Sequence, residues 1–394
     1  LGVQAPEVHV CMSPAAEKAV IHLISLCGDT CETRRYERKT KLVCEDEAFR
    51  FPEDVQEGDA LIVFTKRTVP DIAGRLERMG VRASVIYGSL PPEIRRRQIR
   101  MFSGHETKVV VATDAIGMGL NLPVKRIVFV HTSKFDGKNT RPLLAAEIKQ
   151  IGGRAGRYGI YDTGYVNAVG QEGLDYIKEH FDEKEPDVSC VSLGFPQVLL
   201  DMDEPLDAIL KIWKSVATEP PFEKISIEDM LFLYEKAYRD RKEIDGFEDK
   251  HMLYRMLTCS IDIKNRDIVT LWLYYCKTYT ADACLHFPAL IMCSDSGLAR
   301  YETFYKMLDL YYQFSVRLGK NIDLERLDRE REKTEETIMR YLAKNKKEYI
   351  QKCQYCGSLL PLGASFRICD KCFAETRKSK GGRRHLWTGA TAGG

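Results

Sequence analysis

The sequence predicts an α/β domain, a parallel sheet with helices on both faces, followed by an all-α domain and a small zinc ribbon. Three observations carry this. From Lys41 to about Val169, short β-branched runs alternate with amphipathic stretches, the pattern of parallel strands joined by helical crossovers. After Asp182 that pattern stops, and segments with apolar residues at three- and four-residue spacing take over. Near the C-terminal end, Cys353, Cys356, Cys369 and Cys372 form two Cys-x-x-Cys pairs.

In chain order, residues 1–40 read as the remnant of a preceding domain and its linker, with a strand at Glu7–Cys11 and a helix over Pro14–Leu26 that Cys27-Gly28-Asp29 ends. Residues 41–185 are the α/β domain. Its strands are expected at Ala60–Phe64, Ser84–Tyr87, Lys108–Ala112, Arg126–His131 and Gly164–Val169. Helices fit at Val69–Met79, Pro92–Ser103 and Leu143–Gly152, the second entered through Pro91-Pro92, where a fixed φ suits a first turn. Residues 186–322 form the helical domain, with helices over 204–217, 226–243, 248–260, 266–284 and 298–318. Its aromatic stripes, Leu271–Cys276 and Tyr301, Tyr305, Leu308 and Tyr312, read as core. Residues 323–352 are charged, with Leu324, Leu327, Ile338 and Leu342 sparsely placed, and read as a solvated helical spacer. The ribbon occupies 353–376 and a basic Gly-rich tail 377–394.

At 394 residues and 45.0 kDa the chain is long enough for two to four domains. A content of 44% hydrophobic and 29% charged residues excludes disordered and fibrous classes. No apolar run approaches the roughly 18 residues of a membrane-spanning helix. The net charge of +2 hides an asymmetry, since residues 331–385 hold 14 Lys and Arg against 6 Asp and Glu. That basic end, with Tyr349, Tyr355 and Phe366 available for stacking, suits a nucleic-acid backbone. Thirteen cysteines in paired and scattered positions read as zinc chemistry in a reducing compartment. Two knuckles twelve residues apart supply four thiolates in a closed tetrahedral set, the structural kind of zinc site.

Two stretches carry the chemistry. Val109 to Pro123 is a buried strand running into a turn of small, polar and Gly residues, where backbone N–H groups and the Thr113 hydroxyl approach a phosphate closely. Gln150-Ile-Gly-Gly-Arg-Ala-Gly-Arg157 places Arg154 and Arg157 three residues apart, facing the same way on a helix or turn. Two arginines alone are more often solvated surface charge. Beside a phosphate-holding turn, guanidinium groups so placed suit the charge of a transferring γ-phosphoryl group.

These residues resemble the second RecA-like domain of superfamily-two helicases. Ala60-Leu-Ile-Val-Phe-Thr-Lys66 resembles motif four, Thr113–Asn121 motif five and Gln150–Arg157 motif six. Gln at 150 is similar to the DExH and Ski-type branch. Val85-Ile-Tyr-Gly-Ser-Leu-Pro-Pro92 together with Ala112–Leu122 is similar to the Suv-three RNA helicases of mitochondria and their bacterial relatives. The cysteine-rich tail departs from the mitochondrial members, which favours a bacterial, cytoplasmic protein over one of the mitochondrial matrix.

The resemblance implies an ATP-dependent RNA helicase that translocates on and unwinds RNA, single-stranded or a 3′-tailed duplex, with ATP and Mg²⁺ as cofactors and no membrane partner. An exoribonuclease is the candidate protein partner. Arg157 is then the arginine finger on the γ-phosphate, Arg154 a second contact, and Gln150 a placer of the attacking water. Gly119 and Asn121 lie at the nucleotide, while Phe64, Thr65, Lys66, Gly88 and Thr113 hold the RNA backbone. Such backbone contacts carry little sequence specificity.

No Gly-x-x-x-x-Gly-Lys-Ser/Thr occurs in the 394 residues. Cys44-Glu-Asp-Glu-Ala-Phe49 is only superficially similar to a DEAD-like box, because no long apolar strand precedes it. Glu7–Leu26 resembles the last strand and helix of a first RecA-like domain, which would place Leu1 just past motif three, and the resemblance predicts no ATP hydrolysis by the chain alone. Two other classes stay open at this point: a non-hydrolysing RNA-binding module for a nuclease, and a DNA helicase.

Overall fold

The computed structural model describes residues 5–66, 68–117, 121–137, 139–239, 249–279, 284–348, 352–358, 360, 368–369 and 371–374. They divide into two compact units, Leu1–Glu37 with Lys184–Ile338, and Arg38–Glu183 with Met339–Gly394.

The elements run in chain order as α1 (Glu17–Leu26), β1 (Lys41–Cys44), β2 (Asp59–Ile62), α2 (Thr68–Arg78), β3 (Ala83–Ile86), α3 (Pro92–Ser103), β4 (Val109–Ala112) and β5 (Arg126–Phe129). Then come β6 (Ser133–Phe135), β7 (Thr140–Pro142), α4 (Ala145–Gly152), β8 (Thr163–Ala168), α5 (Gln171–Phe181), β9 (Val191–Leu193), α6 (Leu206–Ser215) and β10 (Phe222–Lys224). Helices α7 (Glu228–Arg239), α8 (Lys250–Leu257), α9 (Arg266–Thr278), α10 (Gly297–Arg317) and α11 (Leu324–Glu348) follow.

In the α/β unit six strands form one sheet in the order β1-β8-β5-β2-β4-β3, every pair parallel. All four residues of β2, β3, β4 and β5 are buried, as strands covered on both faces require. Ile62 and Ile86 both pair with Ala112, so β2, β3 and β4 end level with one another. That shared edge is where the chain leaves the sheet toward the motif residues. Helix α3 spans the predicted Pro92–Ser103 behind Pro91, and α2 begins where the Thr65 hydroxyl accepts the Thr68 N–H at 3.3 Å.

In the other unit α6 to α10 and the start of α11 contribute to one apolar core, while α1 buries none of its residues. Trp272, Tyr275 and Phe314 are fully buried in it. Trp272 Nε1 donates to the Met256 carbonyl at 3.0 Å, and the Tyr275 hydroxyl to the His286 carbonyl at 2.9 Å. Asp249 caps α8 and Asn265 caps α9 through side-chain oxygens that accept two backbone N–H groups each. The aromatic stripes are core where they face inward, with Tyr274 and Tyr312 left partly exposed.

Three local expectations change. Glu7–Cys11 forms no strand, although its alternation suits one, for it pairs with no other strand among the described residues. The predicted helix at Pro14–Leu26 opens as a 3-10 turn over Pro14–Ala16 before α1. The charged stretch folds as α11, but Leu327, Thr334, Ile338 and Leu342 are buried and Leu327 joins the helical core, so the helix is packed rather than solvated. Two short pairings escape the sequence pattern: β6 with β7, antiparallel, and β9 with β10, parallel.

Candidate nucleotide and RNA sites

The sheet edge gathers the predicted RNA contacts. Val63 N–H donates to the Ala112 carbonyl at 2.9 Å and Thr113 N–H to the Ile86 carbonyl at 3.0 Å, which carries the hydrogen bonding one residue past the strands. Half-buried Phe64 and exposed Thr65 and Lys66 follow β2, exposed Gly88 follows β3, and buried Thr113 follows β4. The Lys66 ammonium lies 5.3 Å from the centre of the Tyr87 ring, beside Gly88. The Thr65 and Thr68 hydroxyls are 2.6 Å apart. Ligands of open α/β sheets sit in this position, outside the carboxyl ends of the strands.

The second cluster joins the motif-five turn to the end of α4. After Thr113 the chain turns through a 3-10 segment, Asp114–Gly117, that lies against α4. A Cβ on Gly117 would stand 3.4 Å from Ile151 Cγ1 and 3.7 Å from Gln150 Cγ, which is close packing without a clash. Arg154 closes the contact from the other side, its guanidinium donating to the Gly117 carbonyl.

Helix α4 stops at Gly152, and Gly156 has φ +71°. Both arginines therefore lie past the helix, Arg154 in the turn that follows it and Arg157 beyond Gly156. Arg154 is spent on the motif-five backbone. The Arg157 side chain, half-buried, has no hydrogen bond or ion pair among the described residues. Gln150 is exposed on the last turn of α4, and Asn121 is exposed in the segment leading to β5. Gly119 lies outside the described residues.

One charge cluster beside this site has no motif to announce it. Glu147, one turn before Gln150, takes both Arg141 Nη2 at 2.9 Å and Lys134 Nζ at 2.7 Å on Oε1, and its Oε2 accepts the Leu144 N–H at 2.9 Å. The Arg141 hydrogen bonds, with help from Leu144 and Lys134, hold the Glu147 carboxyl down to about 2. Lys134 and Arg141 sit on β6 and β7, so this ion cluster ties the β6–β7 hairpin to α4. Its members come from positions that only the hairpin brings together.

The four paired cysteines converge, their sulfurs all within 4.8 Å of one another. Cys356 Sγ and Cys369 Sγ are 3.6 Å apart, against about 3.8 Å for two sulfurs on a tetrahedral metal with 2.3 Å bonds. Backbone N–H groups, that of Cys356 foremost, bring the Cys353 thiol down to about 6, while the neighbouring thiols push Cys372 up. Crowded thiols that cannot all ionise together are relieved by a divalent cation at their centre. Leu360, between the pairs, is buried, and its carbonyl accepts from Arg75 Nη2 at 2.8 Å on α2, where Arg75 is also paired with Asp71 at 3.2 Å. Residues 361–367 and the basic tail from 375 onward lie outside the described residues, as do Tyr349 and Phe366.

Residues 41–159 match the family of the helicase conserved C-terminal domain. The parallel sheet with the motif residues at its carboxyl edge lies within that match. The match extends further along the chain, which is 32% identical over 340 residues to the ATP-dependent RNA helicase SUV3, mitochondrial, of Oryza sativa subsp. japonica, covering 81% of this chain and 57% of that protein. Over that length the chain is similar to the SUV3-type ATP-dependent RNA helicases. It is also 34% identical over 248 residues to the ATP-dependent RNA helicase SUPV3L1, mitochondrial, of Gallus gallus, covering 59% of this chain and 31% of that protein. The solved C-terminal domain of the DEAD-box protein Dbp5 aligns at 22% identity with a TM-score of 0.28, over 45% of this chain and 97% of that one. The chain spans little more than half of the rice protein and about a third of the chicken one. Among the described residues no helix is long and apolar enough to cross a membrane.

Proposed function

We propose that this chain is the C-terminal part of an ATP-dependent RNA helicase, supplying the arginine finger and half of the RNA grip. The observation that carries the reading is the division of labour in motif six: Arg154 holds the Gly117 carbonyl, and Arg157, just past the Gly156 turn, is left for a ligand. In this reading Arg157 meets the γ-phosphate of ATP bound with Mg²⁺, Gln150 places the attacking water, and Asn121 and Gly119 line the nucleotide. The phosphate cradle comes from a RecA-like domain outside these residues. Phe64, Thr65, Lys66, Gly88 and Thr113 hold the RNA backbone, which makes the grip tolerant of sequence. The relatives carry "RNA helicase" and "mitochondrial" in their names, which favours RNA over DNA and the mitochondrial matrix over a bacterial cytoplasm. An exoribonuclease remains the partner this reading offers.

The test is RNA-stimulated ATP turnover by the pure chain, and by the same chain joined to a first RecA-like domain of a SUV3-type relative. The expected result is none from the first and turnover from the second. Turnover by the chain alone would sink the reading. RNA binding without turnover in either form would favour the non-hydrolysing module.

The four cysteines would hold a structural Zn²⁺. One zinc per chain is expected by elemental analysis, and a chelator should remove it and open residues 352–374 to protease while the sheet stays folded, because a unit this small depends on its metal. A metal-free chain whose cysteine region resists protease would refute the assignment.

A further inference from the structure

We propose that Arg38 is a positioning residue for the arginine finger, a strap that fixes the loop between Arg154 and Arg157; the inference rests on the finger reading above. Arg38 is the first residue of the α/β unit and precedes the family match, which begins at Lys41. Its guanidinium reaches across the fold to the motif-six loop. Nη1 donates to the Gly153 carbonyl at 2.6 Å, Nη2 to the carbonyls of Ala155 and, at 3.3 Å, Gly156, and Nε to the Thr40 carbonyl at 2.8 Å. Gly153 is the C-cap of α4, where the helix dipole favours a cation, and Ala155 and Gly156 follow it in the loop. Only a planar group with several donors serves their carbonyls together.

The neighbours of Arg38 hold the same loop. Lys39 Nζ lies 4.8 Å from the centre of the Tyr158 ring, one residue past Arg157. Thr40 is buried against Gly156, where a Cβ would fall 2.8 Å from Thr40 Cγ2 and 2.6 Å from Gly164 Cα. So Gly156 is pressed between β8 and the strap, and the backbone that carries Arg157 is held from both ends. No carboxylate among the described residues is paired with Arg38; burial lowers its pKa from the ordinary arginine value. A guanidinium committed to backbone carbonyls, rather than to an acid, has a geometric task.

A finger displaced by about an ångström loses transition-state contact before it loses substrate. The experiment compares Arg38→Met, Arg38→Lys, Arg157→Ala and the double variant Arg38→Met/Arg157→Ala in the helicase carrying both RecA-like domains. RNA-stimulated kcat, KM for ATP and thermal midpoint are read for each. Arg38→Met is expected to lower kcat about ten- to a hundredfold with KM nearly unchanged. Arg38→Lys, with a single ammonium, should also lose kcat while its thermal midpoint stays with the wild type, which covers the case in which Arg38→Met does not fold. The double variant should lose no more than Arg157→Ala alone, because the strap acts through the finger. Multiplying losses in the double variant, or wild-type kcat in Arg38→Lys beside a crippled Arg157→Ala, would overturn the strap and leave the finger standing. Wild-type kcat in Arg157→Ala would overturn the finger itself.

Discussion

Arg157→Ala in the helicase carrying both RecA-like domains is expected to lower RNA-stimulated kcat by about a thousandfold or more, with KM for ATP changed far less. Arg154 is occupied by the Gly117 carbonyl, whereas the Arg157 guanidinium has no hydrogen bond or ion pair among the described residues. A cation left without a partner on a braced loop can meet charge that develops only as the γ-phosphoryl group transfers, and an interaction confined to the transition state appears in kcat. Arg157→Lys should rescue little, since an ammonium cannot reproduce a two-pronged contact. Arg154→Ala should behave differently: it frees the Gly117 turn, so RNA stimulation and ATP turnover should weaken together. Equal, modest losses for both alanine variants would mean that neither arginine is a finger.

Most of the α/β domain is legible in the sequence because a sheet covered on both faces leaves a blunt signal: Ala60–Ile62, Val109–Ala112 and Ile127–Phe129 are unbroken apolar runs that can only be buried. The same physics hides the edge strand β1, whose Lys-Leu-Val-Cys is half-exposed and reads as ordinary chain. Strands β9 and β10 are three residues each and far apart in sequence, so neither carries a period of its own. Glu7–Cys11 errs the other way, because alternation marks a strand only where a partner edge exists. At the site, motif identity shows which residues matter but not how they are held. Gly117 accepting from Arg154, Glu147 collecting Lys134 and Arg141, and Arg38 reaching Gly153 are contacts between segments that local pattern cannot pair.

The largest expected loss of stability lies away from the site, at Arg126. Its guanidinium grips Asp59 with two parallel bonds, Nε to Oδ1 at 2.9 Å and Nη2 to Oδ2 at 2.8 Å, on the neighbouring strand β2. Nη1 reaches Glu45 at 3.2 Å, Nη2 also donates to the Asp54 carbonyl at 2.8 Å, and the group lies 4.9 Å from the centre of the Phe49 ring. Asn167 Nδ2 completes the cluster on Glu45 at 2.6 Å. Only 2% of the Asp59 side chain is exposed, so Arg126→Met should cost about 3–5 kcal/mol by stranding a buried carboxylate. Arg126→Met/Asp59→Asn should cost clearly less, since no charge is then left unpaired. The pH dependence separates this from simple packing loss. Burial raises the Asp59 carboxyl above its ordinary value of 3.8 even against Arg126, and removing the cation raises it further. A carboxyl raised in the folded state favours folding while protonated, and that contribution is lost as pH climbs from 3.8 through the raised folded value. The deficit of Arg126→Met should therefore be smallest in acid and grow toward neutrality, whereas a deficit independent of pH would assign the loss to packing around Phe49.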